Sequence, residues 1–262
     1  MKRCQEKNPL DKFAAGEYGI GVGGDVAVDK PDRKEKRMNA AMMTGWWFSS
    51  EAKLPNNDGR AVTVGDWLEV DGKIEICERG LHFSRRALDA LQYAPGSLCW
   101  YVEADGEIVK YDDKAVCSRR RALWMVDAEP VLRRFARSCA LDVLHLWDAP
   151  EIVREHLVTG DESKLDAARY AAWVAAWVAT RYATWDDPRA LAKDAAWYAA
   201  RATARATRAA ARDAAWSAAR ALAKDAAWEA ARDAQNARLE AMLRSYKDGT
   251  LDLSAPLEVP TR

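Results

Sequence analysis

The sequence predicts an α+β protein: a small, mostly antiparallel β-sheet head domain followed by an all-α tail rich in alanine and tryptophan. Two observations carry this. Short β-type runs separated by turn residues fill the stretch from Thr44 to Val126. From Ser163 onward the chain is saturated with alanine and holds near-copies of one phrase: AKDAAWYAAR from Ala192, ARDAAWSAAR from Ala211 and AKDAAWEAAR from Ala223. Alanine has the best helix propensity, so this composition calls for helices carrying periodic tryptophans. The resulting division is an N-terminal extension (1–42), a head (43–127), a helical connector (128–160), a helical tail (161–247) and a C-terminal tail (248–262).

Residues 1–42 are Gly-rich and then charged (DKPDRKEKR), a composition that packs poorly, and Met42 or Met43 would serve as a start for the compact part. The head opens with GWWFSS, followed by AVTVGDWLEV and KIEICERGLHF; Asp71-Gly72 between the last two predicts a hairpin turn. SRRALDALQYA reads as a helix with Ser84 as its N-cap and Ala87, Leu88 and Leu91 on one face, ended by Pro95-Gly96. Three further β-type runs follow, with turns expected at Asp105-Gly106 and Asp112-Asp113. Asp127 caps a helix in which Pro130 falls in the first turn and Leu132, Phe135, Cys139, Val143 and Leu146 share a face. A shorter helix begins at Pro150 and stops at Gly160.

In the tail, Asp187-Pro188 pairs an N-cap with an N1 proline, ending one helix near Trp185 and starting another. No Gly or Pro follows until Gly249, so one unbroken helix of some sixty residues would be about 90 Å long. ALAKDAAW occurs at Ala190 and again at Ala221, an internal duplication. On a single straight helix, Trp197 to Trp216 advances by roughly 100° and Trp216 to Trp228 by roughly 120°. Such a tail must pack on several sides or fold back. Trp173 and Trp177, four apart, share a face.

Composition limits the function classes. Formal net charge is +0, which removes any global electrostatic case for nucleic acid or membrane. Between Pro188 and Lys247, 12 Lys/Arg face 6 Asp/Glu, but the matching Asp194, Asp213 and Asp225 of the three phrases argue against nucleic acid. No apolar run is long enough to span a bilayer. The 5 cysteines are scattered singly, with no CxxC, so the expected setting is reducing and cytoplasmic. Cys77, His82, Cys99 and Cys117 are of zinc-ligand type but lack paired short spacing, so no metal is expected.

CERGLHFSRRALDALQYAPGSLCWYVEADGEI is the stretch richest in chemistry-bearing residues. Cys77, Gly80, His82, Ser84, the Ala90–Tyr93 segment, Val102-Glu103, Gly106 and Asp113–Val116 follow a pattern that resembles an uncharacterised domain family of phages, prophages and actinobacterial genomes. Members of that domain of unknown function carry a C-x-x-G-[FL]-H-x-[SC]…VE-x-x-G pattern, and many have Ala/Trp-rich helical tails. A weaker likeness, strand–GLHFS–helix–Tyr–strand, is similar to the central block of the ADP-ribosyltransferase superfamily. That resemblance implies a nicotinamide pocket lined by Gly80, His82, Phe83 and Ser84, with Tyr93 stacking and Glu103 orienting the ribose hydroxyl. No upstream His or Arg motif accompanies it. Arg119–Arg121 with Arg85-Arg86 could form a phosphate-binding patch, set against an ordinary solvated strand edge.

The function expected is therefore a non-enzymatic accessory protein of a phage or mobile element. The head would carry a small-ligand site at Gly80, His82, Phe83, Ser84 and Tyr93. The tail would self-associate or bind a protein partner through Trp173, Trp177, Trp197, Trp216 and Trp228. No cofactor is expected on this reading. The alternative is an NAD-binding transferase with His82 and Glu103 as its catalytic candidates, and the second alternative is a nucleic-acid-associated protein.

Overall fold

A computed structural model describes residues 36–39, 42–55, 58–75, 78–182, 187–201, 207–222 and 226–260, with the side chains of 36–39, 177–182, 207–208 and 226 left aside. Residues 1–35, and with them most of the predicted extension, lie outside the described residues, as do Cys77, Asp225 and the side chain of Trp177.

Among the described residues, all six strands precede six of the seven α-helices, so the fold is α+β as predicted. The sheet is organised on one long hairpin, β5 (Leu98–Lys110) and β6 (Ala115–Asp127). β1 (Lys36–Asn39) and β2 (Met43–Ser49) lie end to end along the outer side of β5. β3 (Trp67–Glu69) and β4 (Leu81–Phe83) lie end to end along the outer side of β6. Every strand pairing is antiparallel. The two outer edges meet where Trp46 and Ser84 exchange backbone hydrogen bonds of 2.7 and 2.9 Å, so the sheet curls back on itself.

Two expected turns differ in the structure. Asp71-Gly72 does turn the chain, with Gly72 at φ 80°. The runs flanking it, however, do not pair with each other; both add to the edge of β6. At Asp105-Gly106 no turn forms, and β5 runs straight through. The register slips between Asp105 and Ile108, Gly106 takes φ 76°, and the Glu107 amide donates to Ser118 Oγ at 3.0 Å. This is a β-bulge, and its positive φ is why glycine stands there. The Asp112-Asp113 turn forms as expected, closed by the Tyr111 amide on the Lys114 carbonyl.

Strand alternation gives β5 two buried faces. Trp100, Val102, Ala104 and Ile108 pack inside the curl with Leu81, Phe83 and Cys117. Cys99, with Trp46 and Phe48, joins the core under the helices, and Tyr101 and Trp124 pack against it in a cluster with Trp46, with ring centroids 4.9–5.5 Å apart.

The helix predicted after Ser84 is short: α1 (Ala87–Ala90) followed by one 3-10 turn, with Ala87, Leu88 and Leu91 buried as expected. Ser84 is not its cap. The first free amides, of Ala87 and Leu88, donate instead to Glu240 Oε1 (3.2 Å) and Asn236 Oδ1 (3.0 Å), from a helix about 150 residues away. α2 (Glu129–Asp142) has Pro130 in its first turn, and its Glu129 amide donates to Asp127 Oδ1. α3 (Glu151–Thr159) ends at Gly160 in the left-handed conformation. α4 (Leu165–Tyr182) and α5 (Pro188–Ala200) follow, the latter capped by Asp187, whose carboxylate accepts from the Arg189 amide at 2.8 Å.

The tail is not a rod. α5, α6 (Thr207–Leu222) and α7 (Ala226–Lys247) are separate helices, and α5 packs against both α4 and α6. The first two phrases bury identical positions: Ala192, Ala195, Ala196, Ala199 and Ala200 in α5, and Ala211, Ala214, Ala215, Ala218 and Ala219 in α6. In each phrase an arginine four residues on lies over the tryptophan: Arg201 on Trp197 (5.3 Å), Arg220 on Trp216 (5.1 Å) and Arg232 on Trp228 (5.2 Å).

Candidate functional site

The stretch singled out around His82 is held by the sheet. Leu81 and Phe83 are pinned in the inner core, and Ser84 is part of the seam with Trp46. Gly80 brings the chain back to the edge of β6 at φ 128°, where a Cβ would run into the Val116 side chain, so only glycine fits. His82 is half-buried opposite Val116. Burial, and then the charges of Arg120 and Lys114, lower its pKa to about 4, so its imidazole is neutral at pH 7.

Arg120 is the unusual neighbour. It is 2% exposed, lies over the Trp47 ring at 4.3 Å and donates from Nη1 to the His82 carbonyl. No carboxylate pairs with it among the described residues, and burial lowers its pKa to about 10, still a cation at pH 7. The guanidinium thus ties β4 to β6 through the backbone of His82.

Tyr93 stands at the exposed end of this region, its hydroxyl donating to Asp113 Oδ2 at 2.6 Å and its ring under Lys114 Nζ at 4.5 Å. Glu103 is placed elsewhere. It sits directly opposite Arg121, which donates to Glu103 Oε2 from Nε and Nη2 at 2.6 Å. Arg121 and Val116, the register partner of His82, are five residues apart on β6, roughly 16 Å along a strand. Tyr93 is thus linked to His82 only through Lys114, which lies over its ring and whose charge acts on His82, and Glu103 lies outside this neighbourhood.

Three of the five arginines in the expected patch are ion-paired, while Arg120 is buried under Trp47 rather than presented to a ligand. Arg119 pairs with Glu69 (2.9 Å) and Asp105 (3.3 Å), Arg121 with Glu103, and Arg86 with Asp89 and Asp233. The buried thiols of Cys99, Cys117 and Cys139 are raised by burial, Cys117 to about 12, which keeps them protonated and poorly nucleophilic. Among the described residues no three metal-ligating side chains gather.

The tryptophans predicted at an interface divide. Trp197 and Trp216 pack on the molecule's own core, and Trp228 is half-buried with its Nε1 enclosed and unpaired. Trp173 is 45% exposed beside Tyr170, 67% exposed, on the outer side of α4.

No motif of the sequence marks a second candidate site. A cleft of about 270 Å³ opens between α2, α3 and the C-terminal segment, lined by Arg133, Arg134, Arg137, His156, Gly160 and Glu162 among others. The arginines follow from the pattern RRFAR: on α2, positions 133, 134 and 137 flank the apolar face made by Leu132, Phe135, Ala136 and Cys139. Arg133 is spent on Glu129 and Glu162, both at 2.7 Å. Arg137 reaches the end of α3, where Nη1 donates to the carbonyls of Leu157 (3.1 Å) and Val158 (3.3 Å). Arg134 donates to the carbonyls of Ala255 (2.6 Å) and Leu253 (3.4 Å). His156 is buried, its pKa lowered mainly by burial, with Nδ1 3.2 Å from the Asp161 carbonyl. The signal available in the sequence was an arginine at position 137, next to the apolar face of an otherwise amphipathic helix.

Residues 56–134 match the family described as Domain of unknown function (DUF7666), in accord with the likeness of this stretch to an uncharacterised domain. The match spans the sheet from β3 onward and ends at Arg134 in α2. None of the curated proteins and none of the solved structures matches the chain.

Proposed function

We propose that the chain is a non-enzymatic binding and interaction module whose helical tail associates with a second copy of itself or with a helical protein partner. The observation that carries this is the third repeat phrase. Positions buried in the first two copies, Ala196 and Ala199 in α5 and Ala215 and Ala218 in α6, correspond to Ala227 and Ala230 in α7, which are exposed. Ala234 and Ala237 extend the same uncovered run. A face that the phrase covers twice within the molecule is left uncovered the third time, and alanine allows helices to approach closely. The exposed Tyr170, Trp173 and Val174 on α4 add a second apolar surface of interface type.

The likeness of the 77–116 stretch to a phage and actinobacterial domain supports placing the module among accessory proteins of phages or mobile elements. Nothing comparable favours an NAD-using transferase, because Glu103 is engaged by Arg121 and is distant from His82.

Light scattering on the full chain across a concentration series tests the reading. Assembly above the monomer mass is expected, and Ala230→Glu with Ala234→Glu should abolish it while leaving the thermal melt unchanged, since both positions are exposed. A monomer at every concentration counts against self-association. Assembly indifferent to both substitutions removes α7 from the interface.

A further inference from the structure

We infer that the cleft between α2, α3 and the C-terminal segment binds a phosphate-type oxyanion, held by the guanidinium groups of Arg134 and Arg137.

Arg137 is the central observation. It is 8% exposed and lines the cleft, yet among the described residues it pairs with no carboxylate. Its protein partners are the two carbonyls at the end of α3, both taken by Nη1. Nε and Nη2 have no acceptor among the described residues and are not fully enclosed, and the residue lines the cleft. Glu162 acts on Arg137 only at a distance, being hydrogen-bonded to Arg133, and a buried cation with no directly paired anion is costly.

The neighbours reinforce this. Arg134, three residues earlier on the same helix, lines the same cleft and is also fixed only by carbonyls. The two carboxylates lining the cleft, Glu129 and Glu162, are both committed to Arg133. Asp252, near Arg134, spends its Oδ1 on the Ser254 hydroxyl and the amides of Ser254 and Ala255. Gly160 fits the guanidinium closely, because a Cβ there would stand 2.5 Å from Arg137 Cζ. The site is thus built around the position of that cation.

The ligand class follows from the donors. Two guanidinium groups with free N–H donors suit a tetrahedral oxyanion, whose several oxygens can accept from both. A single carboxylate offers only two coplanar oxygens to the donors of the two groups. The volume, just below the roughly 300–1,000 Å³ usual for small-molecule sites, accommodates a phosphate group with a small moiety attached.

The test is calorimetric titration of the full chain with sodium phosphate, against sodium chloride and sodium acetate at matched ionic strength. Saturable binding of phosphate is expected, with at least a tenfold weaker response to acetate. Arg134→Gln should weaken phosphate binding at least tenfold, and Arg137→Met should abolish it. Arg189→Gln, on the exposed start of α5, should change nothing. Glycerol phosphate distinguishes the source: tighter binding than inorganic phosphate indicates a phosphate carried on a small molecule, and equal binding indicates the free ion. Phosphate no better than chloride or acetate overturns the proposal. So does an Arg134→Gln protein that folds and binds phosphate within twofold of the unsubstituted chain.

Discussion

Replacing Leu243 by alanine should loosen the sheet as well as the helix that carries the substitution. Leu239 and Leu243 of α7 are fully buried in one core with Trp46, Phe48, Leu88 and Cys99 of the sheet half. The same helix places the Arg244 guanidinium over Trp46 at 5.1 Å and Tyr101 at 4.6 Å. It also accepts the first two free amides of α1. Truncating a buried leucine to alanine typically costs about 2–5 kcal/mol, from lost transfer energy and the cavity left behind. At roughly 2–4 °C per kcal/mol for a chain of this size, a loss of about 3 kcal/mol lowers the melting temperature by roughly 6–12 °C. Thermal unfolding followed by far-UV circular dichroism gives the shift. Hydrogen exchange of peptides covering β5 (98–110) shows whether the strands open with the helices. Strand amides that keep their protection while α7 loses its own would refute the reasoning, because the two halves would then be energetically separate.

Two further outcomes concern ionisation. His82 is neutral in the fold with a pKa near 4, below its ordinary 6.5, so the unfolded chain takes up the proton first. Stability should be fully present above pH 6.5 and fall by up to about 3 kcal/mol as pH drops toward 4. Urea unfolding of His82→Gln at pH 7 and pH 4.5 should show a shallower pH slope, and an unchanged slope would clear His82 of the effect. Asp194 has the opposite sign: burial raises its pKa to about 6 from 3.8, so its charge penalises the fold above pH 6 and the penalty fades as pH falls. Asp194→Asn should therefore stabilise the protein by about 1–3 kcal/mol at pH 7 and by little at pH 4, measured by the same unfolding.

Local chemistry was legible where a residue's partner lies close in sequence. Asp187-Pro188 starts a helix, Gly160 ends one, and Asp112-Asp113 turns a hairpin, each because its hydrogen bonds close within a few residues. It failed where the partner is remote. Ser84 has the side chain of an N-cap, but its backbone is claimed by Trp46, and α1 is capped from α7 instead. Asp71-Gly72 marks a turn, yet β6 offers its edge to both flanking runs, and pairing with a long strand already held by β5 wins over a two-stranded hairpin. The cleft was hidden for a related reason. Arg137 reads as one more charge on a helix until α3 and the C-terminal segment close over it.

The repeat phrase shows most clearly what sequence alone could not settle. The tryptophan directions computed for a straight helix do not apply, because α5, α6 and α7 are separate helices. What the phrase encodes is local and identical in each copy: a tryptophan with an arginine over it one turn later, and an alanine face beside it. The clamp forms in all three copies because both partners lie within one helix. Burial of the alanine face depends on having a neighbour, and the first two copies obtain one from the bundle. The third keeps its clamp without its cover, with Ala227 and Ala230 exposed and the Trp228 Nε1 enclosed without a partner. One phrase in covered and uncovered settings separates what the residues do for their own helix from what they offer to another. At the third copy the alanine face stays exposed within the molecule, and self-association through α7 would cover it.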